Sequence, residues 1–201
     1  MVARRADCYG LNERLLYDGS VLKELKDTDI QALILELKEG DYDAIAVCLL
    51  FSFLNPSHEL RLRDRLVEAM PNVPCSISSE VAPIWREYDR ASSTIADAFV
   101  KPVVSNYVKQ LGEGLSKIEL PAPLMIMKSN GGMMSASSCS NAPIQSMMSG
   151  PAGGMIACQW IAEALGIDKA LTMDMGGTSC DVGIIVNGEQ KLTTQFEIEF
   201  G

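Results

Sequence analysis

The residues able to do chemistry concentrate in one third of the chain, in three clusters of small side chains. The first is Ser129-Asn130-Gly131-Gly132 and the second Ser149-Gly150-Pro151-Ala152-Gly153-Gly154. The third is Asp174-Met175-Gly176-Gly177-Thr178-Ser179-Cys180-Asp181. Glycine lets backbone N–H groups approach an anion closely and take the positive φ angles that an amide nest needs. A helix beginning after Gly154 would add N-terminal donors and a favourable dipole. The third cluster is the most specific, because it sets Asp174 and Asp181 beside two glycines and two hydroxyls. A carboxylate ending a buried strand is costly without a partner. A hydrated divalent cation is a natural partner, and Mg²⁺ commonly keeps waters while sharing nucleotide phosphates. Gly176, Gly177, Thr178 and Ser179 could then hold phosphate oxygens. The alternative is a tight β-turn with Asp181 facing solvent. Neither the G-x-x-x-x-G-K-[ST] loop nor the G-x-G-x-x-G fingerprint occurs, so any nucleotide site follows another design.

The elements that must carry these clusters alternate between strand and helix, which predicts an α/β class. Asp18-Gly19 suits a hairpin turn. Helices are expected over 30–37 and, after Asn55-Pro56, over 56–70, where Asn caps and Pro occupies the first helical position. The apolar run at 44–51 predicts a parallel strand and 75–78 a second, short one. From Trp85 to Ile118 one face recurs every three or four positions (Trp85, Tyr88, Ser92, Ile95, Phe99, Val103, Tyr107, Leu111, Leu115, Ile118), with Ser92 its one polar member. That spacing predicts a long helix with a core-facing stripe, kinked or divided at Pro102. Strands are expected at 124–128, 170–175 and 181–186, and a helix at 155–165. Asn187-Gly188 predicts a hairpin to a strand at 191–195. Pro121 and Pro123 mark a boundary, giving domains 1–120 and 121–201. Six methionines, at positions 125, 127, 133, 134, 147 and 148, read as flexible packing beside the glycine loops.

Composition narrows the function classes. A net charge of −9 across 201 residues argues against nucleic-acid or anionic-membrane surfaces, which need clustered Lys and Arg. No apolar run is long enough to cross a bilayer, and the N-terminus lacks a signal-peptide stretch. Six cysteines without a C-x-x-C pair, and one histidine, exclude a zinc ribbon and suggest reduced thiols. The expectation is a soluble, acidic, cytoplasmic protein. His58, in a first helical turn, reads as solvated, and Arg86, Glu87, Asp89 and Arg90 as solvated ion pairs.

Jointly, several motifs resemble the hydantoinase A/5-oxoprolinase family, which includes acetone carboxylase subunits. They are Tyr9-Gly-Leu-Asn-Glu-Arg, Ala46-Val-Cys-Leu-Leu-Phe-Ser-Phe-Leu-Asn-Pro-Ser-His-Glu, Ser79-Glu-Val, Arg86-Glu-Tyr, Ser129-Asn-Gly-Gly, Ser149-Gly-Pro-Ala-Gly-Gly and Asp174-Met-Gly-Gly-Thr-Ser. The third cluster also resembles the phosphate loop of the actin, heat-shock chaperone and sugar kinase superfamily. That resemblance implies ribonuclease-H-like elements with a mixed sheet and helices. It also implies ATP and Mg²⁺ as cofactors, a small cyclic amide as substrate, and a hydantoinase B-type partner subunit. By the same resemblance Asp174 orients Mg²⁺, Gly176, Gly177, Thr178 and Ser179 contact phosphate, and Asp181 is a second carboxylate. Gly150, Gly153 and Gly154 border the nucleotide, while Ser129, Asn130, Gly131 and Gly132 line the cleft. The family's second loop, Asp-x-Gly-Gly-Thr-Phe-Thr-Asp, is absent, which implies an internal fragment, inactive alone, spanning the end of one domain and the start of the next. The resemblance thus implies a piece of an ATP-dependent cyclic-amide hydrolase; the alternatives are a non-catalytic assembly module and an acetone carboxylase-type subunit with the same ATP-binding fold.

Overall fold

The computed structural model describes residues 3–120, 122–177 and 179–191, which fall into two units. One comprises residues 1–119 with 140–144, the other 120–139 with 145–201.

In the first unit the Asp18-Gly19 turn joins β1 (Arg14–Leu15) to β2 (Val21–Lys23) as an antiparallel hairpin. Gly19 takes the positive φ this turn demands, 81°, and the Asp18 carboxylate accepts from the Ser20 N–H at 2.9 Å. Helix α1 (Asp27–Lys38) buries Ile30, Leu33, Ile34 and Leu37, the spacing of a single helical face. Strand β3 (Ile45–Val47) lies parallel to β4 (Cys75–Ile77), with Ile45 opposite Cys75 and Val47 opposite Ile77. Between them α2 (Ser57–Ala69) starts where Asn55 Oδ1 accepts the Ser57 N–H at 3.1 Å. Short α3 (Ser78–Val81) and long α4 (Glu87–Lys117) complete the unit. Its core is built from α1, α2, β3 and β4, with Leu62, Leu66 and Ile77 almost wholly inaccessible.

A buried polar cluster explains why β3 is much shorter than the apolar run that predicts it. The Glu59 carboxylate, fully inaccessible, accepts the Leu49 N–H at 2.8 Å, the Ser78 hydroxyl at 2.7 Å and the Ser79 N–H at 2.8 Å. Arg90, also inaccessible, donates to Leu49 O at 3.1 Å and Ile84 O at 2.8 Å. Side chains thus claim both backbone groups of Leu49 that a ladder would need, and the chain turns away through Phe51 at φ 60°.

Three expectations are corrected here. His58 is buried, not solvated: it is 3% exposed, and its Nδ1 lies 2.7 Å from Glu13 Oε2, just before β1. Arg90 leaves the solvated group for the cluster just described, whereas Arg86 and Asp89 form an exposed pair at 4.0 Å. The aromatic stripe of α4 faces outward, with Tyr88 82%, Phe99 62% and Tyr107 62% exposed. Buried instead are Arg90, Thr94, Asp97, Ala98 and Val108. Polar anchors decide this rotation. Asp97 accepts the Ser76 hydroxyl at 2.7 Å and the Ile144 N–H at 3.0 Å, and leaving that buried carboxylate unpaired would cost more than exposing aromatic rings. Helix α4 continues through Pro102 as one element rather than two.

In the second unit β5 (Met125–Met127) pairs antiparallel with β6 (Met133–Ser135), so the first glycine cluster closes a hairpin. Helices α5 (Ala136–Asn141) and α6 (Ser149–Ala164) follow. Then β7 (Lys169–Met175), β8 (Cys180–Val186) and β9 (Glu189–Gln190) form an antiparallel meander. Asn187 and Gly188, at φ 57° and 73°, make the expected two-residue turn. The strand after it starts at Glu189, and residues 192–195 of the expected strand lie outside the described residues. Helix α6 packs on the meander. The class is α/β, but the strands described form four separate small sheets, one parallel and three antiparallel, not a single mixed sheet. Among the described residues no helix is long and apolar enough to cross a membrane.

Candidate functional site

The β7–β8 hairpin closes where the Gly176 N–H donates to Ser179 O at 2.9 Å. The turn sets the register that places Asp174 directly opposite Asp181. Residues opposed in this way project from the same sheet face, with β-carbons about 4.5–5.5 Å apart. Thr172 opposite Gly183 is the next pair on that face. Like charges so placed repel one another, and among the described residues neither Asp174 nor Asp181 makes an ion pair or a side-chain hydrogen bond.

This face borders a cavity of about 430 Å³ within the second unit, lined by residues from all three clusters. Ser129, Asn130 and Gly131 contribute from the β5–β6 turn, Pro151, Ala152 and Gly154 from the start of α6, and Asp174 and Asp181 from the hairpin. Gly131 takes a positive φ of 83°, which favours glycine, and a β-carbon there would also push the tip of the Ile156 side chain aside, at 2.5 Å from its Cδ1. Among the described residues no group of three or more His, Cys, Asp or Glu side chains converges as a metal cage. Two carboxylates are the most this wall offers a cation, which suits an ion that keeps much of its water.

Several predicted contacts are used differently. The Ser129 N–H donates to Gln145 O at 2.7 Å and its hydroxyl to Gln145 O at 2.9 Å and to Met147 O. Its donors therefore hold the segment leading into α6 instead of facing the cavity. Gly132, whose N–H donates to Asn130 Oδ1 at 3.0 Å, is not part of the lining. Helix α6 begins at Ser149, well before the expected start, so Gly150, Gly153 and Gly154 are helical residues and not a loop ahead of one. Gly153 faces β5, since a β-carbon there would lie 2.8 Å from Met127 Sδ. Gly150 lies outside the lining, whereas Gly154 leaves bare backbone on the cavity wall. Gly176, Gly177 and Ser179 are exposed at the turn and outside the lining, and Thr178 lies outside the described residues.

Other lining residues escaped sequence reasoning: Met155, Cys158, Thr172, Gly183 and Lys191. Two of them carried a usable signal. Thr172 and Gly183 stand two residues from Asp174 and Asp181, and strand alternation puts them on the same face. Met155 and Cys158 needed the true start of α6.

Comparison with known proteins matches residues 90–200 to the Hydantoinase/oxoprolinase family model and residues 2–70 to that of the Hydantoinase/oxoprolinase N-terminal region. The chain is 33% identical over 175 residues to caprolactamase subunit alpha of Pseudomonas jessenii, covering 87% of this chain and 25% of that one. To 5-oxoprolinase of Saccharomyces cerevisiae it is 32% identical over 178 residues, covering 88% of this chain and 13% of the other. Its fold resembles a nucleotide-free structure of acetone carboxylase, an enzyme of ATP-dependent acetone carboxylation, with TM-score 0.79 and 26% identity. That match covers 90% of this chain and 26% of the carboxylase chain. The crystal structure of the ATP-dependent caprolactamase gives TM-score 0.77 at 32% identity, covering 87% and 25%. The chain thus spans about a quarter or less of each of these relatives.

Proposed function

The chain belongs to the hydantoinase/oxoprolinase family, and on that premise we propose that its second unit carries part of a Mg-ATP site of an enzyme that opens cyclic amides. The observation that supports this most directly is the meeting of residues from the first two glycine clusters with the Asp174–Asp181 pair on one cavity. The caprolactamase and acetone carboxylase relatives, both ATP-dependent by description, support it independently. The residues fit the group: among the described residues no cationic side chain pairs with the two facing carboxylates, and the bare backbone of Gly154 leaves room beside them.

In this reading Asp174 and Asp181 would hold a hydrated Mg²⁺, and the exposed turn at Gly177 and Ser179 would hold phosphate. Ser129 positions the segment that leads into α6, and Gly131 keeps the cavity wall thin. Bound Mg-ATP would supply a phosphoryl group to the ring carbonyl oxygen, which would leave the carbonyl carbon open to attack by water. The protein's share is positioning and charge neutralisation. A lactam-like substrate is supported by the caprolactamase and oxoprolinase relatives, and a partner subunit by the caprolactamase relative being an alpha subunit. A carboxylase-type substrate is the second reading, favoured by the similarity to acetone carboxylase. Ribonuclease-H-like ancestry of the meander and α6 belongs to the same proposal. Calorimetric titration of Mg-ATP into the 201-residue chain tests it. Saturable binding is expected, weakened about tenfold or more in Asp174→Ala. Absence of binding in the parent, or equal binding in both, overturns it.

A further inference from the structure

One glycine on the cavity wall lies outside the three clusters. Gly183, on β8, lies opposite Thr172 and faces α6. The Met155 side chain, from the second turn of α6, lies in the notch that the missing β-carbon leaves. A β-carbon at Gly183 would overlap the Met155 sulfur and stand 2.7 Å from its Cε and 2.6 Å from Thr172 Oγ1. The thioether is also held there chemically, because the Thr172 hydroxyl donates to Met155 Sδ at 2.8 Å. All three residues line the same cavity as Asp174 and Asp181.

We propose that Gly183 is a positioning residue for the ligand cavity: it parks the Met155 thioether against the sheet and so keeps that side chain out of the space between α6 and the carboxylate pair. Methionine has three rotatable bonds and fills whatever gap is offered. One side of the thioether is bounded by Gly183 and Thr172. Met155 and Cys158 both line the cavity, so a thioether turned out of the notch has that open space to enter and would lie beside the Cys158 thiol. The hydroxyl–thioether bond adds direction to the parking, so Thr172 selects the rotamer while Gly183 makes it sterically possible. The inference deepens the nucleotide reading and takes its ligand from it, but the parking itself is a statement about the free protein.

Two measurements on the full 201-residue chain keep those apart. The first is independent of any ligand. Cys158, one turn along α6 from Met155, lines the cavity, so its rate of modification by a small maleimide, read by peptide mass mapping, reports whether the cavity is open. In Gly183→Ala the rate at Cys158 is expected to fall about fivefold, while the exposed Cys8 and Cys180 react as in the parent. The double variant Gly183→Ala/Met155→Ala removes the displaced thioether and is expected to restore the parent rate. Unchanged Cys158 labelling in Gly183→Ala, or no rescue in the double variant, overturns the proposal. The second measurement is Mg-ATP titration of the same three proteins, expected to weaken about tenfold in the single variant and recover in the double. If the parent binds no Mg-ATP while Cys158 labelling still falls and recovers, the nucleotide reading fails and the parking stands. Rescue distinguishes this role from general loss of stability, since the double variant removes still more packing and a merely structural defect would deepen.

Discussion

Replacing Glu59 by Gln tests the claim that a buried carboxylate, and not the apolar core alone, shapes the first unit. The carboxylate accepts three hydrogen bonds, two at Oε1 from Leu49 N–H and Ser78 Oγ and one at Oε2 from Ser79 N–H. It has no access to solvent. Glutamine keeps the shape but carries one acceptor and one donor. With its oxygen at the Oε1 position, the Ser79 N–H faces an NH₂ group. Turned the other way, it leaves the Leu49 N–H facing NH₂, while the Ser78 hydroxyl can rotate to accept. Either orientation loses one bond to a charged group, worth about 1.5–3 kcal/mol, and leaves an unpaired buried N–H. A destabilisation of about 2–4 kcal/mol follows. With a urea slope of about 1–3 kcal/mol per molar, the first unit's unfolding midpoint should drop by about 1–2 M. The assay is urea unfolding by circular dichroism, with hydrogen exchange at the Leu49 and Ser79 amides to localise the damage. A midpoint within about 0.3 M of the parent, with both amides still protected, would refute the reasoning.

The other predictions concern a thiol and the outward face of α4. Burial pushes the Cys75 thiol up from 9.0 to about 11, with nearby Lys101 opposing part of the rise. The folded state therefore holds this proton more tightly than the unfolded chain. Its contribution to stability is fully present below about pH 9 and is lost as pH rises toward 11; Cys75→Val should flatten that decline in thermal unfolding. Iodoacetamide at pH 8 should spare Cys75 while alkylating exposed Cys8 and Cys180. Because Phe99 and Tyr107 face solvent, Phe99→Gln and Tyr107→Gln should each change stability by less than about 0.5 kcal/mol. Truncating buried Val108 to Ala should cost about 1–2 kcal/mol in the same chemical unfolding assay. Costs at Phe99 or Tyr107 as large as at Val108 would restore the stripe to the core.

Much of the fold was legible where local chemistry decides. Asp18-Gly19 and Asn187-Gly188 are turns because few other pairs reach their backbone angles, and Asn55-Pro56 opens α2 through an ordinary Asx hydrogen bond. The stripe on α4 misled for a physical reason. Periodicity reports that a helix has two faces, but not which one a neighbour will claim. Here Asp97, Arg90 and Thr94 also recur at helical spacing, and their hydrogen bonds outweigh the aromatic face. The start of α6 was misjudged because glycine and proline lower helix propensity, a weak preference that packing on the meander overrides.

The candidate site divides the same way. Residue types alone announced a carboxylate pair, three glycine clusters and the absence of the common phosphate loops, because those depend on which atoms are present and how many bonds separate them. That Asp174 faces Asp181 required the register of β7 on β8, which the length of the turn between them sets. That Ser129 spends its donors on residues 145–147, and that Gly183 makes room for Met155, required the folded chain. Such matters are settled by which surfaces meet at van der Waals distance, and residues far apart in sequence acquire that relation only on folding.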